Sequence, residues 1–199
     1  MKSLLGVLLL CLAQAASAGH GLMNSFGGIA WLPSVDTLPD SVGYRLQRAK
    51  DALAEQAAAT PGDAFALAIS QSRHRLAAAE AAVRASEVGL MREALAHWAT
   101  RLDAAAQLLA QLPGAEGDSA RLRLANELLE QQYIVATDYL DLPRDTRPAL
   151  QQGFFDLAAA RYAAVRETLR PASREGLFFR EEEIRWAREQ TRAADEQGL

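Results

Sequence analysis

From Asp40 onward, apolar positions recur every three or four residues, the spacing that lines up side chains on one face of an α-helix. The most regular case is Met91, Leu95, Trp98, Leu102, Ala105, Leu109 and Leu112, a seven-residue repeat held without a miss. Ahead of it, Phe65, Ile69, Ser72, Leu76, Ala79 and Val83 alternate spacings of four and three. Several of these residues are small, which lets a neighbouring helix approach closely. Gly89 interrupts the run between the two segments, so the pattern predicts an antiparallel, coiled-coil-like hairpin with a tight connection there. At about 1.5 Å of rise per residue, each arm is roughly 35 Å long. Arg101, next to Leu102, falls on the outer face of this hairpin.

The same reading extends in both directions. Asp40 or Ser41 is suited to cap a first helix whose Val42, Leu46, Ala49 and Leu53 share one face. Thr60-Pro61-Gly62 breaks that helix and Asp63 caps the next. Pro113-Gly114 ends the hairpin, and Glu116 to Ser119 reads as a loop and cap before a fourth helix from about Ala120 to Tyr139. Its apolar stripe is wide, as expected for contact with more than one neighbour. Asp145 caps a fifth helix, with Pro148 acceptable in the first turn and Leu150, Phe154, Ala158, Tyr162, Val165 and Leu169 as the buried stripe. Pro171 stops it, Ser173 opens a last helix carrying Leu177, Phe178, Ile184, Trp186 and Ala187, and from Arg188 the polar chain is expected to fray. No strand-like alternation occurs. The predicted fold is all-α, a five- or six-helix bundle in one domain, with a hairpin region over 40–112 and C-terminal helices over 113–199 packed on it.

The first forty residues follow other rules. Lys2, the apolar stretch Leu4 to Ala13 and the small residues Ala16-Ser17-Ala18 have the order of a secretory signal peptide over 1–18. The apolar run is shorter than the roughly 20 residues that span a bilayer. Residues 19–39 combine Gly19, Gly21, Gly27, Gly28, Pro33 and Pro39 with Phe26, Ile29, Trp31 and Leu32. Glycine and proline resist a helix, but flexible linkers seldom carry Phe and Trp together, so an extended strap docked on the helical body is expected.

Processing after Ala18 changes the composition. The single cysteine, Cys11, leaves with the leader, so neither disulfides nor thiol chemistry can serve the mature chain. Of 21 basic residues Lys2 is also lost, leaving 20 against 25 acidic and a net charge near −5. Charges of both signs are interspersed, and no basic stripe marks a nucleic-acid interface. No second apolar run is long enough to make a transmembrane segment in the mature chain.

Candidate chemistry is sparse. His74 lies between Arg73 and Arg75, whose charges disfavour a bound cation, and His97 follows Glu93 by one turn as an ordinary surface pair. His20 would stand at the new amino terminus, where the free amine, a peptide nitrogen and its imidazole suit Cu(II); the competing reading is a flexible end of incidental sequence. No Gly-x-Ser-x-Gly elbow, phosphate-binding glycine loop or paired Glu-x-x-His set occurs, so no catalytic residue, cofactor site or di-metal centre is expected. Glu181-Glu182-Glu183 reads as a solvated cluster near the start of the last helix. Trp98 belongs to the core seam, and Trp31 and Trp186 fall in less regular contexts that suit a contact surface.

Leu38-Pro39-Asp40, Tyr44 and Leu46-Gln47-Arg48, followed by Arg75-Leu76 with Glu80 and by Leu95-Ala96-His97-Trp98 before Arg101-Leu102-Asp103, form a series of helix entries. It resembles an uncharacterised family of exported or membrane-linked bacterial domains of unknown function, over about a third of the chain. Arg45 stands where that family often has proline, and Gln47 replaces its lysine. The resemblance implies a helical fold and export, and no activity. The expected function is therefore that of a non-enzymatic periplasmic or cell-envelope protein that binds another protein or itself. A small-ligand or metal-binding bundle is the alternative.

Overall fold

The computed structural model describes residues 26, 31–33 and 38–197. Every regular element among them is helical, as the periodicity predicts. In chain order these are α1 (Val42–Ala57), α2 (Pro61–Arg84), α3 (Val88–Leu109), α4 (Gly114–Asp138), a 3₁₀ turn (Tyr139–Asp141), α5 (Arg147–Leu150), a π turn (Gln151–Phe155), α6 (Asp156–Glu167) and α7 (Pro171–Gln197).

The hairpin is the spine. Alanine-rich α2 has strong intrinsic helix propensity, and its Ala78, Ala79 and Ala82 are fully buried, so α3 can lie close along it. All seven residues of the predicted α3 seam and all six of its α2 counterpart are buried. The turn between them, however, is not at Gly89, which already lies in the first turn of α3. Ser86 makes the reversal at φ 58°. Its N–H donates to the Val83 carbonyl at 2.9 Å, and that of Glu87 donates to Ala82 at 2.9 Å, which satisfies the last carbonyls of α2. A serine thus occupies the left-handed position usually given to glycine.

Other boundaries shift for local reasons. Thr60, rather than Asp63, caps α2: its Oγ1 accepts from the Asp63 N–H at 3.1 Å and donates to the Asp63 carboxylate at 2.8 Å. α4 begins at Gly114, six residues before the expected Ala120, because Glu116 to Ser119 continue the helix instead of looping. Gly117 permits this, since a Cβ there would collide with the Leu112 carbonyl oxygen. The π turn adds one residue to its helical turn, so that Phe154 and its neighbour Phe155 are both fully buried. Their rings lie 5.1 Å from Trp98 and 5.9 Å from Tyr139, respectively.

The tail does not fray at Arg188. α7 runs to Gln197 with Thr191 and Ala194 buried, and Tyr139 donates its hydroxyl to Asp195 at 2.7 Å. These contacts fix the last turns to the body.

Residues 1–18, expected above to be a signal peptide, and His20 lie outside the described residues, as does most of the expected strap over 19–39. Of that stretch, Phe26 is buried and stacks on Tyr133 with ring centroids 4.4 Å apart, Leu32 and Leu38 pack partly buried against the core, and Trp31 is exposed.

Candidate interaction surfaces

α1 departs from the ordinary amphipathic rule. Ser41 caps it, accepting from the Tyr44 N–H at 3.1 Å. Its apolar residues Val42, Leu46 and Leu53 then face solvent at 64%, 58% and 66% exposure, and its buried residues are Tyr44 and Asp51. The expected apolar face is real, but it points away from the core. A polar face holds the helix down instead. Arg75 of α2 pairs with the Asp51 carboxylate and lies 5.0 Å from the centre of the Tyr44 ring. Gln71 donates to the Asp51 carbonyl at 3.2 Å, and Gln47 donates to the Asp51 side chain at 2.9 Å. From α3, His97 Nδ1 lies 3.0 Å from the Tyr44 hydroxyl, and Arg101 reaches both Glu55 and Gln71.

Arg101 is therefore not an idle outer-face residue but a tether for α1, and His97 pairs with Tyr44 rather than with Glu93. Burial lowers the His97 pKa from its ordinary value, helped by the positive charge of Arg48 and opposed by Glu93, so the imidazole is neutral at neutral pH. Burial also raises the Tyr44 phenol, against the influence of Arg75. With both carboxylates, Asp51 and Glu55, engaged by arginines of the hairpin, the charges flanking the outward stripe are Arg45 and Lys50. In a chain of net negative charge, this face is apolar and cationic.

A second polar assembly is internal. Trp98 donates its indole N–H to Gln131 at 2.7 Å, and Gln131 donates to Ser72 at 3.1 Å and to Glu127 at 2.7 Å. Glu127 takes Arg73 at 2.6 Å, and Arg73 bridges to Glu130, which also accepts from Arg180 of α7 at 3.1 Å. This chain of bonds crosses α2, α3, α4 and α7. With its members bonded to one another it fixes helix pairing and register, and its Arg73, Glu127 and Glu130 also line a shallow groove of about 390 Å³.

Among the described residues, three grooves border α7, one of them, of about 460 Å³, at its N-terminal end against α4; the other two lie further along the helix. One, of about 610 Å³ between α4 and α7, is lined by Leu140, Phe179 and Trp186, and its only charged lining residues are Glu182 and Glu183. The other, of about 440 Å³ between α6 and α7, holds Glu181. Burial pushes the Glu181 carboxyl up, but hydrogen bonds from Arg166 and Tyr162 outweigh it and leave the pKa below its ordinary value. Burial and the bond to Glu181 raise the Tyr162 phenol. The acidic triplet is thus mid-helix and split among three settings, not a solvated first turn: Glu181 bonds into α6, Glu182 pairs with Arg185, and Glu183 borders the groove on α4.

Among the candidates read from the chain, Trp98 is buried, while Trp31 and Trp186 are 57% and 44% exposed. His74 contacts the carbonyl of Ser70 at 2.9 Å. Among the described residues no group of three or more His, Cys, Asp or Glu is placed to hold a metal ion, and no helix is long and apolar enough to cross a membrane. No family model matches the chain, and no curated protein or solved structure matches it.

Proposed function

We propose that this chain is an exported, non-enzymatic protein of the bacterial cell envelope that acts by docking another protein on the outer face of α1. The observation that carries the reading is the orientation of that helix. Turning Val42, Leu46 and Leu53 inward would remove their apolar surface from water, at about 25 cal/mol per Å². The fold does the opposite and spends directional polar contacts to hold the stripe outward. An exposed apolar strip kept in place this way is the signature of a binding surface. Export is supported by the leader-like order of Lys2, Leu4 to Ala13 and Ala16 to Ala18.

A photo-crosslinking amino acid placed at Leu46, in the protein's own cells, should yield a discrete adduct with one partner. The same group at Arg92, exposed on α3, should not. Equal labelling from both positions, or none from either, would remove the reading.

A further inference from the structure

We infer that the partner docked on α1 is a different protein, which presents an apolar helix bordered by aspartate or glutamate. The inference rests on the docking role of α1 and names the chemistry of its occupant. Val42, Leu46, Ala49 and Leu53 are spaced four, three and four, the register of a coiled-coil seam, and all four are exposed. They run roughly 16 Å along the helix, about three turns. Ala49 leaves a dip between Leu46 and Leu53, which a larger side chain of a facing helix fills as a knob enters a hole. Helices that lie on a bilayer instead present a broad apolar face rich in Trp, Phe and Leu. The seam of α1 is narrow, and the helix's one aromatic residue, Tyr44, is buried on the opposite side.

Charge then selects the partner. The positions that border the seam are Gly43, Arg45, Lys50, Ala52 and Ala57, so every charge beside it is positive. The two carboxylates of the helix are turned inward, Asp51 to Arg75 and Glu55 to Arg101. No salt bridge among the described residues engages Arg45, Lys50 or Arg48, the remaining cation of α1. Elsewhere in the body, by contrast, Arg73, Arg84, Arg161 and Arg180 each hold a carboxylate. Two α1 helices side by side in parallel would set Arg45 against Lys50, and antiparallel they would set like residues together. Both arrangements place cation on cation, so α1 is not its own mate. Among the described helices α7 also exposes large apolar residues, Phe179 and Trp186, but the carboxylates beside them already have partners within the chain, Glu182 in Arg185. The acids that answer Arg45 and Lys50 therefore come from another protein, on a helix that meets the seam in the manner of amphipathic helix recognition.

The crosslinker at Leu46 supplies the test when its adduct is digested and sequenced by mass spectrometry. The captured peptide should belong to another protein and carry apolar residues at coiled-coil spacing, with Asp or Glu at the bordering positions. Purified, that protein should bind the mature chain, more weakly as salt rises. A chain carrying Arg45→Glu and Lys50→Glu, both at exposed positions and folded like the parent by circular dichroism, should bind it roughly tenfold more weakly or worse, since the charges that meet are now alike. Exchanging the partner's bordering acids for lysine should restore binding to that variant and weaken binding to the parent. An adduct to a second copy, or to a peptide without bordering acids, would overturn the acidic-partner assignment and leave α1 as a docking helix. Binding indifferent to salt and to both reversals would do the same. An adduct to lipid, or no discrete adduct, would end both readings.

Discussion

The α2–α3 hairpin and α1 are all amphipathic helices of similar regularity, yet they place their apolar faces in opposite directions. The hairpin seam, from Met91 to Leu112 and from Phe65 to Val83, is buried throughout. Across α1 the corresponding apolar residues are more than half exposed, and the contacts to the body are made by Tyr44, Asp51 and Glu55. The difference is one of mechanism. Hydrophobic burial is non-directional and grows with area, so it supplies most of the spine's cohesion. Polar contacts are directional but nearly cancelled by desolvation, so they set the angle and register of α1 while adding little net stability. A helix held mainly by such contacts, with Tyr44 as its buried ring, is readily released, which suits a surface that must engage a partner.

The hairpin half of this comparison predicts the largest energetic effect. Leu102 is buried in the seam, and truncating it removes transfer energy and leaves a cavity. Leu102→Ala should cost about 2–5 kcal/mol in chemical denaturation followed by helical circular dichroism. Arg101 cannot serve as the neutral reference, because it tethers Glu55 and Gln71. Gln107, exposed on the same helix, can: Gln107→Ala should stay within about 0.5 kcal/mol. Comparable small losses at both positions would mean that the repeat does not mark a load of buried contacts.

The α1 half predicts a smaller and local effect. Asp51→Ala removes the partner of Arg75, whose side chain is only 4% exposed and whose Nη1 already lacks a bond. Leaving that guanidinium unpaired costs about 1–3 kcal/mol, with an upper limit set by the whole docking energy of α1, because the helix can lift off instead. Hydrogen exchange should therefore show the α1 amides losing protection while those of α2 and α3 keep theirs. Uniform loss of protection through the hairpin would show that α1 is integral to the core. The double change Asp51→Leu with Arg75→Met should recover much of the loss, since it removes both buried charges.

The same contrast explains what could be read from the chain. The hairpin was legible because its code is local: a spacing of three and four, sustained over many turns, identifies both the helix and its buried side. For α1 the spacing identified a helix and its apolar face, but not the direction of that face. Direction depended on Gln71, Arg75, His97 and Arg101, which follow Asp51 by at least twenty positions and meet α1 only once the hairpin has formed. The one available hint was that these four polar residues could form a strip across two adjacent helices. Gly89 misled for a related reason. Glycine is the usual residue for a left-handed turn, but Ser86 adopts that conformation because the helix-ending hydrogen bonds to Val83 and Ala82 stabilise it. The π turn had no sequence signature at all beyond two adjacent phenylalanines, both of which the core could take only if the helix widened.

The last prediction separates stability from binding on a single residue. Leu46 is 58% exposed, so replacing it should neither open a cavity nor orphan a buried group. Leu46→Gln keeps a straight side chain of good helix propensity, and its expected change in unfolding free energy is within about 0.5 kcal/mol. That is the smallest effect of the series on the folded protein. On docking it should be among the largest, because Leu46 occupies the middle of the seam, where interface energy concentrates. Denaturation of the variant, set beside the yield of its partner adduct from a crosslinker at the neighbouring exposed residue Leu53, measures both quantities. An unchanged midpoint with a lost adduct would place the apolar stripe outside the folding core and inside an interface. A loss of stability like that of Leu102→Ala would mean that the α1 stripe is buried in solution, and the contrast between the two regions would collapse.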